Sequence, residues 1–194
     1  MLKKPILVLM LGLMLAASTA IFAKNPGETV DDFTLKGVDG KEYNLGNTLK
    51  TSNYVCVIFI STECPFVQPY TDRINALANE YSKKGVTFFG INANSTESFD
   101  AVKTHAAEKG YPFAVLKDDN NTVADMLGAT RTPEVFLIDK NKTVLYHGRI
   151  DDSRDEEKVT SSDLKDALDQ VTNGKDVAVK DTKSFGCTIK RVEK

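Results

Sequence analysis

The sequence predicts an α/β fold: a central mixed β-sheet with helices on both faces. Three observations predict it. Two nearly continuous apolar runs, Tyr54 to Ile60 and Val86 to Asn92, have the composition of strands covered on both faces. An amphipathic stretch between them completes the strand–helix–strand unit of a parallel crossover. Hairpin patterns near both ends add antiparallel strands to that sheet.

The chain opens on a segment that stands apart. Lys3 and Lys4 precede an uncharged apolar stretch, Ile6 to Ala17, and Ala20 and Ala23 are small residues at cleavage spacing. This is the pattern of a secretory signal peptide over residues 1–23. The apolar stretch is short for a membrane span, and polar sequence begins at Lys24, so a retained anchor is the weaker alternative. An exported product, periplasmic or extracellular and without a stable membrane anchor, is expected. Residues 24–174 then form one domain, and 175–194 a polar tail.

In the domain, Asp31 to Leu45 reads as a hairpin turning at Asp39-Gly40. Gly46 to Ser52 reads as a polar connector to the first buried strand. Tyr70, Ile74, Leu77, Ala78 and Tyr81 recur at helical spacing and stop at Gly85. Phe99, Val102 and Ala106 mark a second helix, ended near Gly110; Phe113 to Leu116 is a short apolar run, and Val123 to Leu127 a helical turn or two before Gly128. Val135 to Ile138 and Thr143 to Arg149 pair around the turn 139–142. Asp151 to Lys158 reads as a solvated, charge-dense loop. Leu164, Leu168 and Val171 define a last helix, with Thr160 and Asp163 at capping-box spacing.

The chain is 41% hydrophobic and 27% charged over 194 residues, ordinary for a soluble globular protein. A formal net charge of −2, without a basic run, gives no nucleic-acid footprint. His105 and His147 have no companion at ligand spacing, so no metal site is expected. Three cysteines are too few for a disulfide framework at this size, and chemistry is the better use for at least one.

That one is Cys64. It follows the apolar run through Ser61-Thr62-Glu63 and precedes Pro65, where a strand gives way to a helix. Helix N-termini lower a thiol's pKa, and Pro65 suits a first helical turn. The adjacent Glu63 opposes the thiolate. A buried inert cysteine is the plainer reading of Cys64, and of Cys56 inside the strand it is the better one.

Four features in order resemble the peroxiredoxin-like redoxins of the alkyl hydroperoxide reductase/thiol-specific antioxidant family, within the thioredoxin superfamily. They are the hairpin 32–41, the strand ending Ser61-Thr62-Glu63-Cys64-Pro65, the segment Thr132-Pro133-Glu134-Val135-Phe136, and the hairpin after it. The resemblance spans roughly residues 26–172 and implies a thioredoxin-like fold. Two positions depart from the pattern. Val67 stands where thioredoxins carry a second cysteine, and Val57 where peroxiredoxins carry proline.

The resemblance implies an exported thiol-dependent oxidoreductase, antioxidant or disulfide-exchanging, that needs no cofactor. Cys64 is its nucleophile towards a peroxide or disulfide substrate, and an external thiol restores it. Ser61 stands for the threonine of the peroxiredoxin pattern and offers a hydroxyl to the thiolate or peroxide. Arg131 is a candidate stabiliser of either, or a solvent-facing arginine. Thr132 and a cis Pro133 form the substrate-binding wall. Cys187, on a mobile tail, is a candidate resolving thiol within the chain or across a dimer; a free tail thiol or a tail disulfide without a catalytic role are the alternatives. A non-catalytic thioredoxin-fold binding module, engaging partners by mixed disulfide or not at all, is the alternative function.

Overall fold

The computed structural model describes residues 23–193. The expected signal segment, apart from its last residue, lies outside them. Among the described residues no helix is long and apolar enough to cross a membrane.

The order of elements follows the hydrophobic pattern. Strands β1 (Thr34–Gly37) and β2 (Glu42–Asn44) form the first hairpin. Asn44 then caps a short helix, α1 (Leu45–Leu49), by accepting from Asn47 N. The polar connector expected here is therefore a helix, which buries Leu45 and Leu49 and presents its polar residues outward. Strand β3 (Tyr54–Phe59) leads to the Cys64 turn, helix α2 (Thr71–Tyr81) and strand β4 (Val86–Asn92). Helix α3 (Phe99–Lys109), strand β5 (Ala114–Lys117) and helix α4 (Thr122–Leu127) follow. Short β6 (Arg131–Thr132) precedes the antiparallel pair β7 (Glu134–Asp139) and β8 (Val144–Gly148). Helix α5 (Asp163–Thr172) and strand β9 (Cys187–Thr188) complete the chain.

Among the described residues seven strands form one sheet in the order β2-β1-β5-β4-β3-β7-β8, and β6 pairs with β9 outside it. β3 is parallel to β4 and antiparallel to β7, so the sheet is mixed and β3 lies near its centre. Alternate residues of β3 serve opposite cores. Cys56 and Ile58 pack with Ile74, Tyr81, Leu164 and Leu168 of α2 and α5. Val55, Val57 and Phe59 pack with Leu45, Leu49, Ala124 and Leu127 of α1 and α4. Two covered faces are why the run is apolar at every position.

Three expectations are corrected by packing. The 151–158 loop is not all solvated: Asp151 is buried and paired with Arg73 from α2. The capping box at Thr160 does not form, because the Thr160 hydroxyl donates to Asp152 and Ser162 is the residue before the helix. The tail, expected to be free of the domain, is docked on it. His147 N donates to Lys180 O at 2.9 Å and Thr182 N returns to His147 O at 3.0 Å. On either side of that pairing, Val177 and Ile189 are buried, one in each core.

Candidate active site

β3 delivers the chain to a turn at the carboxyl end of the sheet's central strands, the place where open α/β sheets leave room for chemistry. The Ser61 Oγ accepts from Glu63 N at 3.2 Å and from Cys64 N at 3.1 Å, which closes the turn. Val67 N donates back to Cys64 O at 3.0 Å. The regular helix expected directly after Cys64 begins later. A 3₁₀ turn, Gln68–Tyr70, comes first, and α2 starts at Thr71. Pro69 explains the delay. It has no N–H to give the carbonyl of Pro65, so an α-helical bond cannot form there.

The opposite wall is the segment before β7. The Thr132–Pro133 peptide is cis, as the resemblance implies. Thr132 O lies 3.3 Å from Cys64 Sγ. The tail crosses this wall as a strand: Thr132 pairs with Cys187 and Arg131 with Thr188, antiparallel. Cys64 and Cys187 are joined as a disulfide, with Cα atoms 5.9 Å apart, inside the range such bonds require. With the tail in place Cys64 is only 2% exposed. Cys56 is a free, fully buried thiol whose pKa burial pushes up, so it behaves as a core residue.

Two predicted side chains have partners other than the Cys64 sulfur. The Ser61 hydroxyl has one proton, and it goes to the carboxylate of Glu97. In this state none is left for sulfur. Arg131 is exposed, and its guanidinium donates to Gly186 O at 3.2 Å, beside Cys187 rather than at Cys64.

Sequence reasoning missed two buried acids that support the two walls. Glu97 stands under the Cys64 turn. It accepts from Ser61 Oγ, from Thr62 N at 2.7 Å, and from the side-chain amides of Asn92 and Asn94, both at 2.6 Å. Burial pushes its carboxyl up, and those hydrogen bonds outweigh it and hold it below the usual carboxylate range. Glu134 stands under the cis-proline wall. One oxygen accepts from Thr130 N at 2.7 Å and Arg131 N at 2.9 Å; the other faces His147 Nε2 at 2.8 Å. His147 Nδ1 in turn faces Asp181 of the tail at 2.8 Å. The signal for Glu97 was present: Asn92 and Asn94 break an apolar run at the carboxyl end of a central strand, where a buried polar group needs partners. Among the described residues no group of three or more His, Cys, Asp or Glu side chains is placed to hold a metal ion.

The geometry joins two sulfurs over a peptide edge, with one cysteine on the turn after β3 and the other on β9. Such a pair can open and close by thiol–disulfide exchange.

The family model for Redoxin matches residues 25–168. The thiol-disulfide oxidoreductase ResA of Geobacillus thermodenitrificans is 30% identical over 118 residues, covering 61% of this chain and 66% of that protein. The chloroplastic peroxiredoxin Q of Arabidopsis thaliana is 28% identical over 132 residues, 64% of this chain and 59% of that one. The chain thus spans slightly less than two thirds of the curated relatives it matches. A hypothetical protein from Sinorhizobium meliloti 1021, solved by crystallography, superposes with a TM-score of 0.82 at 34% identity, covering 89% of this chain and 98% of that one.

Proposed function

The chain belongs to the redoxin family and has a thioredoxin-like fold, and from that membership we propose that it is a thiol–disulfide oxidoreductase whose redox pair is Cys64 and Cys187. The single observation that carries the reading is the bond between those two sulfurs across the Thr132–Pro133 wall. In the reducing direction the Cys64 thiolate attacks one sulfur of a substrate disulfide. A mixed disulfide forms and one substrate thiolate leaves. The Cys187 thiolate then attacks Cys64 Sγ, the intramolecular disulfide closes, and the second substrate thiolate leaves. The substrate gains two electrons and two protons; the protein loses them. An external dithiol reverses the protein's half of the exchange. Because the tail is part of the same chain and docked, Cys187 meets Cys64 at high effective concentration. That answers the lack of a cysteine at Val67.

Two features support a disulfide over a peroxide as substrate. The Ser61 hydroxyl is committed to Glu97, and the tail lies on Arg131–Thr132 as an extended cysteine-bearing strand, the shape a peptide disulfide would present. Export supports the same assignment, since an oxidising compartment sustains such a bond; the candidate leader at 1–23 supports export.

The test treats the reduced protein with glutathione disulfide and, separately, with hydrogen peroxide. Intact mass reads the loss of two hydrogens. Rapid closure with glutathione disulfide, dependent on Cys64 and far faster than uncatalysed exchange, is expected. Closure fast only with peroxide would move the assignment to a peroxidase. No closure with either would leave the binding-module function.

A further inference from the structure

Glu97 has no place in the exchange as written, yet it is buried, ionised and fully engaged. An isolated carboxylate in such a site is costly, so its four donors must be there to hold it or be held by it. They come from two sides. Ser61 Oγ and Thr62 N belong to the turn that carries Cys64. Asn94 belongs to the loop that carries the tail: its Nδ2 donates to Glu97, and its Oδ1 accepts from Lys190 N at 2.8 Å. The neighbouring Ser95 N donates to Lys190 O at 2.8 Å. Lys190 is three residues beyond Cys187. One carboxylate therefore links the backbone of the first cysteine to the anchor of the second.

We propose that Glu97 is a positioning residue for the redox pair, clamping the Cys64 turn and the Asn94 tail anchor so that Cys187 docks in register with Cys64. This rests on the reading of Cys64 and Cys187 as a redox pair. Chemistry makes the role specific to a carboxylate. All four partners donate, so Glu97→Gln would turn an NH2 towards donors. Asn92 cannot flip its amide without losing Ile60 O, to which its Nδ2 also donates at 3.4 Å, and Thr62 N is a backbone donor that cannot accept at all. Asn94 cannot flip without losing Lys190 N, and Ser61 cannot accept more without giving up Cys64 N or Glu63 N. The variant must loosen the turn or the tail.

The experiment equilibrates the full chain with reduced and oxidised dithiothreitol. Two electrons and two protons pass between that dithiol and the Cys64–Cys187 disulfide, and mass spectrometry of alkylated protein gives the constant. Glu97→Gln is expected to shift the constant towards dithiol by roughly tenfold, the scale of one buried donor left unpaired. Asn94→Ala is expected to shift it the same way, and the double variant by less than the two shifts combined. Ile138→Val, a core change in β7 within the core that holds neither cysteine, should lower the melting temperature and leave the constant unchanged. An unchanged constant in Glu97→Gln, or strictly additive shifts, overturns the proposal. If Glu97→Gln does not fold, Glu97→Asp, which keeps the charge but is too short to span both sides, carries the same expectation. Failure of the redox reading is seen separately, as a wild-type protein that does not re-form the Cys64–Cys187 bond.

Discussion

At the scale of single residues, the site is a set of competitions over protons. Ser61 was expected to serve the sulfur; a stronger acceptor, Glu97, takes its only proton. The same competition sets His147. Burial pushes its imidazolium down, while the hydrogen bonds and charges of Glu134 and Asp181 outweigh that and raise its pKa. Phe136 stacks on the ring from β7, and Glu134 and Asp181 are the charged groups facing it. A folded pKa above the unfolded one, about 6.5, means the charged histidine adds stability that is fully present below that pH. The contribution is lost as pH rises through the folded value. Wild type should therefore exceed His147→Gln in urea stability at pH 5.5–6, with the gap closing in alkaline buffer. A gap that widens with pH contradicts the assignment.

At the scale of elements, local pattern and tertiary demand divide the sequence unevenly. The strands were legible because each apolar position of β3 and β4 reports a covered face. The Cys64 turn was legible because an apolar run, a hydroxyl and Cys-Pro mark it locally. Helix α1 was not, since five residues hold too few periods to show one. The late start of α2 was not legible, because the apolar spacing from Tyr70 to Tyr81 marks the helix and not the form of its first turn. The docked tail left no periodic signal at all. Asn94, Asn121 and Thr130 each accept one of its backbone N–H groups, and such one-to-one pairings have no sequence rhythm. Its strand β9 does carry one local mark, Gly186. Gly186 has φ +148°, and a Cβ there would overlap the carbonyl oxygen of Thr132. Gly186→Ala should unseat β9 at a cost of about 1–3 kcal/mol. Faster alkylation of Cys187 in the reduced variant, with α/β circular dichroism retained, is the expected result. An unchanged alkylation rate would show that the tail does not depend on that close approach.

At the scale of the whole molecule, the chain is a redoxin in which the segment after α5 returns to the Cys64 turn. The sheet presents Cys64 at the carboxyl end of its centre, and the chain returns after α5 to lay Cys187 on the cis-proline wall. A thioredoxin-like fold was readable from the order of hairpins and crossover. The pairing of a tail cysteine with the site was open, because sequence gives no distance across 123 residues. In the proposed exchange the two sulfurs have different tasks: Cys64 attacks and Cys187 resolves. The direct test exposes reduced wild type, Cys187→Ser and Cys64→Ser to glutathione disulfide and maps the products by peptide mass. The expected products are an intramolecular Cys64–Cys187 disulfide in wild type, a persistent glutathione adduct on Cys64 in Cys187→Ser, and little or none in Cys64→Ser. A glutathione adduct that forms on Cys187 as fast without Cys64 as the wild type closes would contradict the proposed exchange.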